Sequence, residues 1–323
     1  MKNILVTGGA GFIGSNLVER LLSLENIRKV RVLDNFATGS RANIKGFMGH
    51  SKFEWVEGDI RDYKTCLAAC ENMHVISHQA ALGSVPRSIA DPLSTNAVNI
   101  TGTLNVFTAA KEMGIKRIVY AASSSTYGDS TELPKLEDRI GKPLSPYAVT
   151  KYVNELYADV FADLYGMEMI GLRYFNVFGP RQSPNGAYAA VIPLFLKHLF
   201  ANESPIIHGD GSTSRDFTYI ENVLEASCLA LFTENKAALN QVYNVACGES
   251  TTLNALFETL KSIVGSDVTP IYSDNRIGNI AHSLADISKI QTLLGYQPTV
   301  KMEAGLRKTA VWFRRENEVS EII

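Results

Sequence analysis

Short apolar runs alternate with longer amphipathic stretches through the first half of the chain, a pattern that predicts parallel strands joined by crossover helices. Residues 3–7, 30–34, 53–57, 74–78, 117–121 and 169–173 read as strands. Amphipathic helices are expected at 12 to about 24, 92–113 and 146–165. The fold class predicted is α/β: a Rossmann-type, doubly wound parallel sheet with a smaller α/β substrate-binding domain. Beyond Asn176 the alternation loosens, and 179–181, 183–186 and 203–218 are loop-like, rich in glycine, proline and polar residues. Residues 241–245 read as a strand that can return to the sheet. The expected division is therefore 1–176 with a returning segment at about 219–246, against 177–218 and 247–323.

Composition narrows the class. The chain has 323 residues, 46% hydrophobic and 20% charged, and a formal charge of -2. That balance gives no field for nucleic acid or an anionic membrane, so neither is expected as a partner. Cys66, Cys70, Cys228 and Cys247 are too few and too scattered for a disulfide framework, and no second Cys or His pair stands at metal-ligand spacing. No metal is expected. The chain enters a strand at once and holds no apolar run of membrane-spanning length, which points to a reduced, cytoplasmic protein.

Candidate chemistry begins directly after the first strand. Gly8, Gly11 and Gly14 sit between a strand and a helix, where glycines permit a tight turn, close approach of backbone to a pyrophosphate, and close helix packing. The second strand ends at Asp34, placed to hold ribose hydroxyls and to repel a 2'-phosphate, so NAD is favoured over NADP. Gly58-Asp59-Ile60 follows the third strand and is placed to flank the adenine; small residues in Gln79-Ala80-Ala81 follow the fourth. His78, at the end of the fourth strand, reads as a core histidine and not as a ligand. Ser123, Ser124 and Ser125 lie at the carboxyl end of the fifth strand, where open parallel sheets bind ligands. Tyr147 and Lys151 are spaced i, i+4 on a helix starting near Pro146, so an ammonium is expected to lower the phenol towards the working range of a general base. Alone, that pair would be an aromatic and a lysine on a solvated helix face. In this order after a cofactor fingerprint and a serine run, it reads as chemistry.

Taken together, T-G-G-A-G-F-I-G at 7–14, D-N at 34–35, G-D-I at 58–60, H-Q-A-A at 78–81, S-S-S-T-Y-G at 123–128, S-P-Y-A-V-T-K at 145–151, R-Y-F-N-V-F-G-P-R at 173–181 and R-D-F at 215–217 resemble the extended short-chain dehydrogenase/reductase family. Within it the chain resembles the UDP-hexose 4-epimerases. The resemblance implies that Phe12, Ile13, Asn35 and Tyr174 join the glycines, Asp34, Asp59, Ile60, Gln79, Ala80 and Ala81 around NAD. It implies that Tyr147 exchanges a proton with the hydroxyl on sugar carbon 4, Lys151 holds the nicotinamide ribose, and Ser123 hydrogen-bonds the same sugar oxygen. Ser84, Ser124, Ser125, Asn176, Ala190, Val191, Ile206, His208, Arg215, Arg276 and Ser283 would contact the UDP-sugar, and the enzyme would be a homodimer.

The nearest rivals by resemblance are nucleotide-sugar 4,6-dehydratases, with an Asp-Glu pair where this chain has Ser124 and Ser125, and UDP-glucuronate decarboxylases, with a Glu. A hydroxyl cannot serve as the carboxylate base for elimination, so epimerisation is favoured. A non-catalytic NAD-sensing scaffold would usually lack the tyrosine or the lysine. Relatives restricted to plain hexoses carry a bulky tyrosine where Ser283 aligns. The small Ser283, the serine run and residues 185–191 resemble the subgroup acting on UDP-N-acetylglucosamine and UDP-N-acetylgalactosamine, with uronic acids as a further option.

Overall fold

The structure, a computed structural model, describes residues 1–185, 189–274 and 282–320. In chain order the first part comprises β1 (Lys2–Thr7), α1 (Phe12–Leu22), β2 (Ile27–Asp34), α2 (Arg41–Ile44), β3 (Phe53–Glu57), α3 (Tyr63–Cys70), β4 (Val75–His78), α4 (Val85–Ala90), α5 (Pro92–Asn96), α6 (Thr103–Glu112), β5 (Arg117–Ser123), α7 (Pro146–Tyr165) and β6 (Glu168–Tyr174). It continues with β7 (Val177–Phe178), α8 (Val191–Phe200), β8 (Ile206–His208), β9 (Ser214–Arg215), β10 (Thr218–Tyr219), α9 (Ile220–Phe232), β11 (Gln241–Val245), β12 (Thr251–Thr252), α10 (Leu253–Val264), β13 (Ile271–Ser273), α11 (Ser288–Leu294) and α12 (Met302–Ser320).

Seven strands form a parallel sheet in the order β11-β6-β5-β4-β1-β2-β3. Successive residues of β1 feed opposite cores: Ile4 and Val6 face the layer of α1 and α9, while Leu5 joins Ile76, Ile118 and Met169 under α3, α6 and α7. Both faces are therefore covered, which explains strands that are almost continuously apolar. The strand order reverses between β1 and β4, and that switch point opens a crevice at the carboxyl ends of the strands. The strand at 241–245 pairs along β6 from Gln241 against Ile170 to Val245 against Tyr174. The remaining strands make three two-stranded sheets, β7 with β10, β9 with β12 and β8 with β13.

Two differences from the sequence reading matter for the site. β5 runs on to Ser123, paired with Tyr174, so the serine sits on the strand end and not in a free loop. The helix expected across 92–113 is interrupted by a π-helical turn at Ala97–Gly102. Gly102 explains the close approach there, because a Cβ would stand 2.6 Å from Ile60 Cδ1. Such turns displace side chains from the helical register. The turn aims Asn99 inwards.

The helix carrying Tyr147 is well delimited. Ser145 accepts the Ala148 N–H on its Oγ at 3.1 Å, Pro146 opens the first turn, and Gly166 closes the last in the left-handed region at φ +62°.

Candidate active site

A cavity of about 640 Å³ lies at the carboxyl ends of the strands. Gly8, Gly11, Phe12, Ile13 and Gly14 line it from the β1–α1 turn, Asp34 and Asn35 from the end of β2, and Asp59 and Ile60 from beyond β3. Gln79, Ala80, Ala81 and Ser84 line it after β4, and Ser123, Tyr147, Lys151, Tyr174 and Ala190 complete the expected set. The turn closes only around glycine: Gly8 has φ +72° and a Cβ there would stand 2.6 Å from Ala80 N, while a Cβ on Gly14 would meet Gly8 O at 2.1 Å.

Asp34 is fixed by the Ala10 N–H to Oδ2 at 2.9 Å and the Phe36 N–H to Oδ1 at 2.7 Å, and burial pushes its carboxyl up. Asn35 Nδ2 donates to Asp59 Oδ2 at 2.9 Å, and hydrogen bonds from Arg61 hold the Asp59 carboxyl below its ordinary value. A backbone cradle that excludes any Cβ, with a carboxylate at the end of the second strand, fits the pyrophosphate and ribose of a dinucleotide. Gln79 Oε1 accepts the Tyr174 hydroxyl at 3.3 Å, tying the β4 end to β6.

At the other end of the cavity Lys151 is buried and donates from Nζ to Ala121 O at 2.7 Å, with Nζ 6.0 Å from the Tyr147 ring centroid. Burial pulls its ammonium down to about 8, against Glu155 four residues on, which raises it. The phenol of Tyr147 is raised by burial and lowered by its hydrogen bond with Ser123. The expected lowering of the phenol by Lys151 therefore does not appear. Desolvation outweighs an ammonium that is turned to a carbonyl and itself weakened. Ser123 Oγ accepts from Ser125 N at 3.2 Å and from Ser125 Oγ at 2.8 Å. With both lone pairs engaged, its own proton is the one it gives to the Tyr147 oxygen.

His78 is buried between Thr7 Oγ1 at 2.7 Å and Thr103 Oγ1 at 2.9 Å, and burial drives its pKa down to about 3. It is a structural histidine. The polar chain continues from Thr103 Oγ1 to Asn99 O at 2.7 Å and from Asn99 Nδ2 to Thr150 Oγ1 at 3.1 Å, and Thr150 donates to Tyr147 O at 2.8 Å. Asn99 also exchanges hydrogen bonds with both backbone groups of Leu82, at 2.8 and 3.1 Å. The β1 end, the loop after β4 and the first turn of α7 are thus one buried network.

Several expected substrate contacts stand apart from this cavity. Ser124, Ser125, Asn176, Val191, Ile206, His208, Arg215 and Ser283 do not line it. Ile206 is exposed, His208 Nδ1 pairs with Ser273 Oγ at 2.8 Å, and Arg215 donates to Ser214 O at 2.8 Å. Asn176 lies between β6 and β7 in the left-handed region, at φ +34°. Ser283 is buried, its N–H donating to Ser214 O at 3.0 Å. Arg276 and residues 186–188 lie outside the described residues. The cavity also holds residues that sequence reasoning passed over, among them Thr38, Gln182 and Arg87. Arg87 had a local signal, since Ser84 caps α4 by accepting its N–H.

The doubly wound sheet, the glycine turn at its switch point and the Tyr147–Lys151 pair define a dinucleotide-binding α/β enzyme. The chain belongs to the NAD dependent epimerase/dehydratase family, whose model matches residues 4–246. It is 38% identical over 316 residues to a putative UDP-glucose 4-epimerase of Methanocaldococcus jannaschii, covering 97% of this chain and 99% of that one. Among solved structures, the UDP-N-acetylglucosamine 4-epimerase of Methanobrevibacter ruminantium M1, in complex with UDP-N-acetylmuramic acid, superposes with a TM-score of 0.92 at 40% identity, covering 98% and 99%. A dTDP-glucose 4,6-dehydratase of Streptomyces venezuelae with NAD bound superposes with a TM-score of 0.91 at 30% identity, covering 98% of each chain.

Proposed function

We propose that this UDP-sugar 4-epimerase interconverts UDP-N-acetylglucosamine and UDP-N-acetylgalactosamine through a transient 4-keto sugar. The observation that carries the choice of sugar is Ser283, a small side chain at a position where the resemblance puts tyrosine in enzymes restricted to plain hexoses. Likeness to the Methanobrevibacter enzyme supports the same reading.

The glycine turn, Asp34, Asn35, Asp59, Gln79 and Tyr174 would hold NAD, and Lys151 its nicotinamide ribose. When bound, NAD supplies a reversible hydride acceptor for sugar carbon 4. Tyr147 takes the proton from the oxygen on carbon 4 and later returns it. Ser123, its lone pairs already engaged by Ser125, donates to that oxygen. Ser124 and Ser125 offer hydroxyls where the resemblance puts the carboxylates of a dehydratase, and a hydroxyl cannot serve as the carboxylate base for elimination. Residues 1–176 with 219–246 would form the cofactor half, and 177–218 with 247–323 the UDP-sugar half, where Asn176, Ala190, Val191, Ile206, His208, Arg215 and Arg276 are the proposed contacts. A homodimer working in the cytoplasm completes the reading. No described helix is long and apolar enough to cross a membrane.

Ser283→Tyr tests the sugar assignment. Turnover of the N-acetylated sugar should fall at least about tenfold more than turnover of UDP-glucose, because the resemblance sets position 283 beside the sugar, where a bulky ring would compete with the acetamido group for space. Equal losses on both substrates in steady-state assays would remove the assignment.

A further inference from the structure

The segment from His282 to Asp286 carries Ser283 and runs between two side chains that are wholly buried and belong neither to the glycine turn nor to the catalytic helix. Asp216 takes three backbone N–H groups: Cys247 on Oδ1 at 2.9 Å, Gly248 on Oδ2 at 3.0 Å and Ala285 on Oδ2 at 3.3 Å. Asn244 donates from Nδ2 to Lys135 O and to Asp286 O, each at 2.9 Å, and accepts the Tyr127 hydroxyl on Oδ1 at 2.6 Å. Backbone bonds complete the seam: Ser283 N to Ser214 O at 3.0 Å, Lys135 N to Leu284 O at 2.8 Å and Asp286 N to Lys135 O at 3.0 Å.

The placement of these anchors gives them meaning. Tyr127 stands four residues beyond Ser123, and Asp216 directly follows Arg215. One anchor therefore ties the segment to the serine-bearing end of β5, and the other ties it to the strand that carries a proposed diphosphate ligand. Neither side chain lines the cavity. A buried N–H deprived of its acceptor, or a buried carbonyl deprived of its donor, cannot turn to water, so loss of either anchor must be answered by movement of the segment. The glycine turn, Asp34 and Asp59 belong to other elements, at the far side of the sheet from β11.

We propose that Asp216 and Asn244 are positioning residues that hold the 282–286 segment in place, so that recognition of the UDP-sugar depends on them while NAD binding does not. The proposal rests on the reading of the chain as a UDP-sugar epimerase.

The test uses the holoenzyme with Asp216→Asn, which keeps the shape but loses a charged acceptor, and with Tyr127→Phe, which removes the hydroxyl that donates to Asn244 and that also meets Arg173. The measurements are the Kd of UDP by calorimetry, KM and kcat with UDP-N-acetylglucosamine, NAD released on denaturation, and the melting temperature. Asp216→Asn should raise both Kd and KM about tenfold, the scale of one charge-assisted hydrogen bond. Tyr127→Phe should raise them about threefold, with kcat within about twofold and NAD content unchanged in both variants. A lower melting temperature with unchanged Kd and KM would overturn the proposal, as would loss of NAD in step with loss of UDP binding. If Asp216→Asn does not fold, Tyr127→Phe decides alone. If the wild-type protein binds UDP but epimerises no UDP-sugar, the functional reading falls while the Kd values still judge the anchors.

Discussion

His78 shows how a residue can take no part in the proposed chemistry and still make stability depend on pH. Its ring stays neutral in the fold down to about pH 3, whereas an unfolded histidine takes a proton near 6.5. The unfolded state therefore binds more protons through that window, so the stability His78 contributes is complete above pH 6.5 and is lost as pH falls towards 3. At pH 4.5 the loss is roughly 2–3 kcal/mol. His78→Gln should lose correspondingly less stability than wild type between pH 7 and pH 4.5 in urea titrations; equal losses would contradict this account of the ring. Its buried role was legible from sequence because it closes a short, mostly apolar strand at 74–78. The network it serves was not. Asn99 meets Leu82 and Thr150, 17 and 51 residues away, and no local spacing encodes partners so distant. The raised phenol of Tyr147 was equally hidden, since an i, i+4 spacing reports proximity to a lysine but nothing of how deeply both are buried.

Among the elements, α7 carries two different faces. Tyr147, Lys151 and Glu155 turn inwards, while Val149, Leu156, Val160 and Leu164 are exposed, with Leu164 69% accessible. On α5, Leu93 is 82% accessible. Exposed apolar residues grouped on two helices suit association with a second copy. Leu156→Glu with Leu164→Glu should convert a dimer to a monomer by light scattering; an unchanged mass would exclude α7 from the interface. The strand and helix types along residues 1–176 could be read from periodicity, and β3 and β11 fall where the pattern put them. The π-helical turn could not, because it depends on Gly102 meeting Ile60 across the sequence. Short strands of two residues, such as β9 and β12, are equally invisible to a pattern of period two, which needs four or more positions.

At the scale of the molecule, the sheet reverses its strand order at the point where the glycine turn, the serine strand and α7 meet. That topology brings the glycine turn and the Tyr147–Lys151 pair to one cavity from positions more than a hundred residues apart. The UDP-sugar contacts were the least legible part. The proposed ones lie on strands of two or three residues, such as Ile206, His208 and Arg215, or outside regular elements, as Asn176 and Ser283 do, where no periodicity marks them. The central claim is that Tyr147 moves the proton on carbon 4 of a UDP-N-acetylhexosamine. Purified wild-type protein and Tyr147→Phe, each containing NAD, can be incubated with UDP-N-acetylglucosamine and the epimers separated. Wild type should produce UDP-N-acetylgalactosamine, and Tyr147→Phe should be slower by about 10² to 10⁴, the usual worth of a positioned general base. Equal rates in the two proteins, or no epimer from the wild type, would contradict it.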